Sequence, residues 1–140
     1  MTRRWMCMTM IELRRGDVVL VAFPFIAESL VQRKRRPALV VQADRYNRRR
    51  AAAIIAAITT SRAHEHLPCK LAVAKDSPEG RAAGLRLDSV VDCQTLVTLP
   101  RDEIVQRLGT FPADLMHQID DALRDALGLT AAPGYDGGTR

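Results

Sequence analysis

Aromatic residues are scarce. Phenylalanine, tryptophan and tyrosine make up 4% of the 140 residues, too few for the stacked ring platforms of general single-strand binders. Cysteine is scarce as well: Cys7, Cys69 and Cys93 are odd in number, far apart and in no CxxC pair. That argues against a disulfide framework and suits reduced thiols in a cytoplasm. No apolar run approaches the roughly 18 residues that a membrane-spanning helix requires, so the sequence reads as soluble, with no membrane role. The first ten residues carry Arg3 and Arg4 but lack the continuous apolar stretch of a secretory signal. Met6, Met8 and Met10 are each candidate starts, and residues 1–10 are expected to form a flexible segment. Residues 130–140 contain three glycines and one proline with almost no apolar periodicity, the composition of a disordered tail. Residues 11–129 remain, enough for one hydrophobic core and too few for two ordinary domains.

Positive charge, by contrast, is abundant and unevenly placed. Lysine and arginine number 21 against 16 aspartates and glutamates. Between Val31 and Arg50 there are eight basic residues (Arg33, Lys34, Arg35, Arg36, Arg45, Arg48, Arg49 and Arg50) and a single acidic one, Asp44. Such a cluster is an electrostatic footprint for a polyanion. The plainer alternative is a solvated basic face.

The β-branched run from Asp17 to Phe23, ended by Pro24, reads as a buried strand. Pro24 to Arg36 mixes proline, polar and basic residues and reads as an exposed loop. Further strands are expected at Pro37–Gln42, Ala52–Thr60, Leu67–Ala74, Ser89–Gln94 and Leu96–Leu99, with a turn at Ser77–Gly80. Two helices should follow. Thr98 can cap a short one, with Pro100 in its first turn and Gly109 past its end. The second spans about Pro112 to Leu127, where Leu115, Ile119, Leu123 and Leu127 recur every four residues before Gly128. Short strands with tight turns and a closing helix predict a mainly β fold, a strongly bent sheet or small barrel.

Three separated pieces occur in order: Gly16-Asp17-Val18-Val19 opening the first strand, Arg35-Arg36-Pro37-Ala38-Leu39-Val40-Val41, and Ala57-Ile58-Thr59-Thr60-Ser61. A fourth, Gly84 to Val91, is followed by Leu96 to Pro100 and Arg107-Leu108-Gly109. This ordered set, covering about Ile11 to Leu129, resembles the PemK/MazF-like toxins. The resemblance implies an SH3-like barrel that forms a homodimer with an RNA groove between protomers. It also implies an endoribonuclease that cuts single-stranded mRNA at short motifs, needs neither metal nor cofactor, and leaves a cyclic phosphate and a 5′ hydroxyl. A cognate antitoxin would neutralise it through an acidic disordered segment lying in the basic groove. Operator DNA would be met only through the antitoxin complex.

Metal-free RNA cleavage uses the substrate's own 2′ hydroxyl as nucleophile. The protein must accept its proton, neutralise the phosphorane oxygens and protonate the leaving 5′ oxygen. Arg36 suits the second task because its planar fork stays charged and pairs with phosphate oxygens. Pro37 restrains its backbone toward an extended conformation, and the family pattern makes this position catalytic. Thr59, at the end of an apolar strand, matches the family's catalytic threonine. On its own it reads as an ordinary strand-end threonine. Arg86 and Asp88, two apart, would share one face of an extended segment, and in some relatives an Arg-x-Asp here supplies acid and base. Arginine stays protonated near neutral pH, so Arg86 is assigned first to charge stabilisation. Asp88 is a candidate base, with Ser89 or a histidine such as His64 as alternatives. Arg33, Lys34, Arg35, Arg48, Thr60, Ser61 and Arg62 are expected to contact RNA. His64-Glu65-His66 with Cys69 matches no strong zinc spacing, and the metal reading is set aside. Two rivals remain at this stage: a same-fold toxin that poisons DNA gyrase without cutting RNA, and a nucleic-acid-binding or autoregulatory module without activity.

Overall fold

Asp17 is the first residue of the sheet and one of its few buried charges, 2% exposed. Its carboxylate accepts the Arg14 N–H at 2.9 Å and the Thr110 hydroxyl at 2.9 Å, and lies 3.4 Å from Arg107 Nη1. One side chain thus ties the entry of the chain to the last strand, which gives the Gly-Asp pair of the sequence pattern a structural purpose. The computed structural model describes residues 12–27, 30–49 and 51–130. The expectations for residues 1–10, and for the tail beyond residue 130, lie outside the described residues.

Six strands are described: β1 (Asp17–Ala27), β2 (Leu30–Val40), β3 (Ala52–Thr59), β4 (Lys70–Val73), β5 (Ser89–Pro100) and β6 (Ile104–Thr110). They form one antiparallel sheet in the order β4-β5-β3-β2-β1-β6. The mainly β expectation holds, with one qualification: β4 and β6 are outer strands that no pairing joins among the described residues, so hydrogen bonds do not close the sheet into a barrel. A bulge between Ala56 and Ala57 of β3, opposite the Asp92–Leu96 stretch of β5, bends both strands.

Alternation along the strands fills both faces. Val18, Leu39, Ala56, Ile58 and Val91 point to one side, where they pack with Phe111, Leu115 and Ile119. Val19, Val21, Ala38, Val40 and Ile55 point to the other, with Leu13, Leu99 and Ile104. The helix α3 (Ala113–Leu127) covers the first face as its period predicts, and Gly128 ends it in the left-handed conformation. Leu127 does not join the core, being 54% exposed. Arg15 fastens this helix to the sheet: its Nη2 meets Asp120 at 2.8 Å, and its Nε donates to the Val41 carbonyl at 2.9 Å. Two further short helices, α1 (Asp44–Asn47) and α2 (Pro78–Ala83), stand where only a basic run and a turn were read. Ser77 caps α2 through its hydroxyl, which accepts the Gly80 N–H at 2.9 Å.

Two expectations are corrected. The loop expected from Pro24 to Arg36 is instead a long hairpin: β1 runs on through Pro24, which pairs with Arg33. Pairing of β1 with β6 stops at Val21, so beyond that point proline's missing N–H faces no partner strand and the ladder tolerates it. The helix expected after Thr98 is only a 3₁₀ turn at Arg101–Glu103, after which Ile104–Thr110 is β6. The β-branched Ile104 and Val105 favour pairing, and β1 offers them an unfilled edge. Gly109 serves packing, not helix termination. A Cβ there would collide with the Ala82 carbonyl, and one at Gly84, whose φ is 74°, would come within 2.5 Å of the Leu108 carbonyl. The α2 end and β6 therefore lie backbone against backbone.

Candidate active site

In the β2–β3 ladder Ala38 stands opposite Ala57 and Val40 opposite Ile55. Two residues beyond the end of that ladder come Arg36 on β2 and Thr59 on β3. Both are half-buried and lie where the second core gives way to an open pocket. The chain thus brings two residues 23 positions apart to one pocket, at the point where the β1–β2 hairpin leaves the sheet.

Two pockets meet at this place. The smaller, of about 340 Å³, receives Arg36, Thr59, Ser61, Lys70 and Asp92. The larger, of about 450 Å³, receives Lys34, Arg35, Arg36, Thr60, Arg86 and Gln106 above an apolar floor. Arg36, Pro37 and Ile58 line both and so form the wall between them. Thr59 Oγ1 accepts the Ser61 N–H at 3.1 Å. That bond uses a lone pair and leaves the hydroxyl proton to donate into the pocket.

Lys70 and Asp92 are functional candidates that sequence reasoning missed. They face each other across the β4–β5 ladder with Nζ and Oδ2 3.5 Å apart. Asp92 also accepts the Gln94 N–H at 3.0 Å and the Thr95 hydroxyl at 2.9 Å. Both its oxygens are engaged, so it holds the bulge and Lys70 in place. The signal in the sequence was faint: in Ser89-Val-Val-Asp92 one acidic residue follows a buried pair, and only strand register shows which lysine it meets.

The remaining site candidates divide. Arg86 lines the larger pocket, but Asp88 lines neither, and its Oδ1 accepts the Lys75 N–H at 3.0 Å. The segment before β5 is not extended, so the shared face expected for Arg86 and Asp88 does not form. Ser89 lines the larger pocket, 4% exposed, with its hydroxyl donating to the Leu87 carbonyl at 2.7 Å. Arg62 is exposed, pairs with Glu65 at 2.8 Å and lines neither pocket. The Arg33 and Arg50 side chains lie outside the described residues. Arg48 follows α1 at the Ala52 end of β3, seven strand residues from Thr59, which is about 23 Å at the usual rise. The basic run is therefore two patches, with Lys34 to Arg36 at the pockets and Arg45, Arg48 and Arg49 at the far end of the ladder.

His64 and His66 are exposed, with ring centroids 6.3 Å apart. Cys69 turns away from them into the main core and is 3% exposed. Across the ladder from it, burial pushes the Cys93 thiol up to about 12, with the Cys69 thiol adding to the rise. Both cysteines are packing residues, and the Cys93 thiol has little thiolate character.

Residues 14–127 match the family of PemK-like, MazF-like toxins of type II toxin-antitoxin systems. Endoribonuclease MazF2 of Mycobacterium bovis is 42% identical over 98 residues, covering 69% of this chain and 81% of that protein. A solved mycobacterial endoribonuclease superposes with a TM-score of 0.67 at 26% identity, covering 88% of this chain and 98% of that one. Another, solved in complex with its cognate antitoxin, superposes with a TM-score of 0.65 at 26% identity, over 86% and 99% of the two chains. The match spans every strand and the closing helix, and both Arg36 and Thr59 fall within it: the chain belongs to the PemK-like, MazF-like toxin family.

Proposed function

We propose that this chain is the toxin of a type II toxin–antitoxin module, an endoribonuclease that cuts single-stranded mRNA at short motifs. The observation that carries the reading is the meeting of Arg36 and Thr59 at one pocket. Each is a group that a crowded phosphorane needs, one a fixed cation and the other a hydroxyl donor. The 2′ hydroxyl attacks the adjacent phosphorus as its proton passes to solvent, the bond to the 5′ oxygen breaks as that oxygen takes up a proton from solvent, and the products carry a 2′,3′-cyclic phosphate and a 5′ hydroxyl. Arg36 balances charge on the non-bridging oxygens, Thr59 donates to one of them, and Lys70 lies within reach of the same phosphate. Arg86 adds charge from the neighbouring pocket.

Asp88, bound to the Lys75 backbone, stabilises a turn in this reading. Asp88→Asn is expected to change the cleavage rate by less than about tenfold, the lower end of what a general base contributes being about a hundredfold. A single-turnover assay that finds a hundredfold loss would restore Asp88 as the base.

Lys34, Arg35, Arg36 and Arg86 line the larger pocket, so binding should lean on phosphate charge. Four such contacts predict a log–log salt slope near −2.8 for single strands, and thus roughly fiftyfold weaker binding between 50 and 200 mM salt. Fluorescence titration of an uncleavable 2′-deoxy oligonucleotide checks this, and a flat response would sink the electrostatic assignment. The same basic surface suits an antitoxin whose acidic, disordered segment competes with RNA. A second protomer is expected to complete the groove, with operator DNA contacted only through the antitoxin complex and the action placed in the cytoplasm.

The deciding experiment incubates purified protein with mixed RNA in excess chelator and maps product ends. Cyclic-phosphate ends that disappear with Arg36→Ala support the nuclease. Intact RNA with purified wild-type protein would overturn it.

A further inference from the structure

The wall of Arg36, Pro37 and Ile58 between the two pockets has a consequence for how RNA is read. If the scissile phosphate sits at Arg36, the nucleotides on its two sides must enter different pockets. The smaller one sets Thr59, Ser61, Lys70 and Asp92 beside apolar Ala57 and Ala63. The larger one is floored by Leu20, Ile58, Leu85 and Leu108, and the planar guanidinium of Arg86 stands in its lining. Its volume of about 450 Å³ lies within the usual span of small-ligand pockets, about 300–1,000 Å³. An apolar floor beside a guanidinium plane accepts the flat face of a nucleobase where no aromatic ring is present to stack on it.

A base held there is told from other bases only by groups that meet its edge. Three uncharged polar side chains line the pocket: Thr60, Ser89 and Gln106. Ser89 is committed to the Leu87 carbonyl, and a lone hydroxyl such as that of Thr60 suits donor and acceptor edges alike. Gln106 differs from both. It lies in β6 opposite Leu20 of β1, so pairing with β1 fixes its backbone, and the close packing of α2 on Gly109 holds the same strand. Its amide carries donors and an acceptor side by side, the pattern that pairs bidentately with adenine. Among the described residues that amide takes no intramolecular partner.

We propose that the larger pocket recognises the nucleobase next to the scissile phosphate, and that Gln106 reads its edge and so helps to set the cleavage motif. The inference rests on the ribonuclease reading of this site. The test maps cut sites in mixed RNA, in chelator, for the wild-type protein, Gln106→Ala and Gln106→Glu. Gln106 is exposed, so neither substitution disturbs the core.

The wild type should prefer one base, adenine, at one position adjoining the cut. Gln106→Ala should lose that preference at that position alone, by roughly five- to a hundredfold in relative kcat/KM, the span one bidentate base contact supports. Gln106→Glu should shift the preference toward cytosine, whose amino group a carboxylate can accept. Active variants that keep the wild-type preference at every position would overturn this inference and leave the ribonuclease reading standing. A wild-type protein that leaves RNA intact would overturn both.

Discussion

Replacing Arg36 with alanine should lower the single-turnover rate of RNA cleavage by at least about a thousandfold while leaving the melting temperature close to wild type. A fixed cation on a transferring phosphoryl group contributes on the order of 10³- to 10⁵-fold in other phosphoryl-transfer sites, and Arg36 is a cation that lines both pockets. Arg36→Lys should recover little, because an ammonium on a flexible stem cannot reproduce a planar fork held at a strand position. Thr59→Ala should cost about a hundred- to a thousandfold, the range for one lost oxyanion donor, and Thr59→Ser should recover most of it. Since both residues act on one phosphate, the double variant should fall far less than the product of the two single losses. A loss below tenfold for Arg36→Ala would show that the charge is supplied from elsewhere.

The second large effect concerns stability. Asp17→Ala should destabilise the fold by about 3 kcal/mol, because it removes the carboxylate whose two oxygens accept the Arg14 N–H and the Thr110 hydroxyl, hydrogen bonds to a charged group contributing roughly 1.5–3 kcal/mol each. For a domain of this size that should lower the melting temperature by roughly 10 °C, measured calorimetrically. Asp17→Asn keeps one acceptor oxygen and should cost about half as much. An unchanged melting temperature in Asp17→Ala would mean that the β1–β6 edge does not depend on this carboxylate.

The elements read correctly from sequence share one property: their periodicity and punctuation agree with their tertiary role. β1 opens at Asp17 behind a glycine, and α3 shows its leucines at helical spacing because one face alone meets the sheet. Arg36 and Thr59 stood out as candidates through their places beside Pro37 and at the end of an isoleucine-rich strand, and the fold sets both in the lining of one pocket. The hairpin from Pro24 to Arg36 was hidden because a two-stranded arm that leaves the sheet carries the polar, basic composition of a loop. β6 was hidden because Thr98, Pro100 and Gly109 imitate the two ends of a helix, when the glycine in fact answers to the Ala82 carbonyl. Lys70 and Asp92 meet only through strand register, as does the placing of Gln106 beside Leu20. No local pattern announces such a pair. The basic run failed in the opposite direction, since nearness in sequence suggested one patch where the ladder makes two.

Because Arg36 comes from β2 and Thr59 from β3 and both line one pocket, neither strand alone assembles the proposed centre, and a slip of one residue turns every side chain of a strand to the opposite face. On the proposed reading, a nascent or partly melted molecule whose second and third strands have yet to come together holds no cutting centre, so cleavage waits on completed tertiary structure.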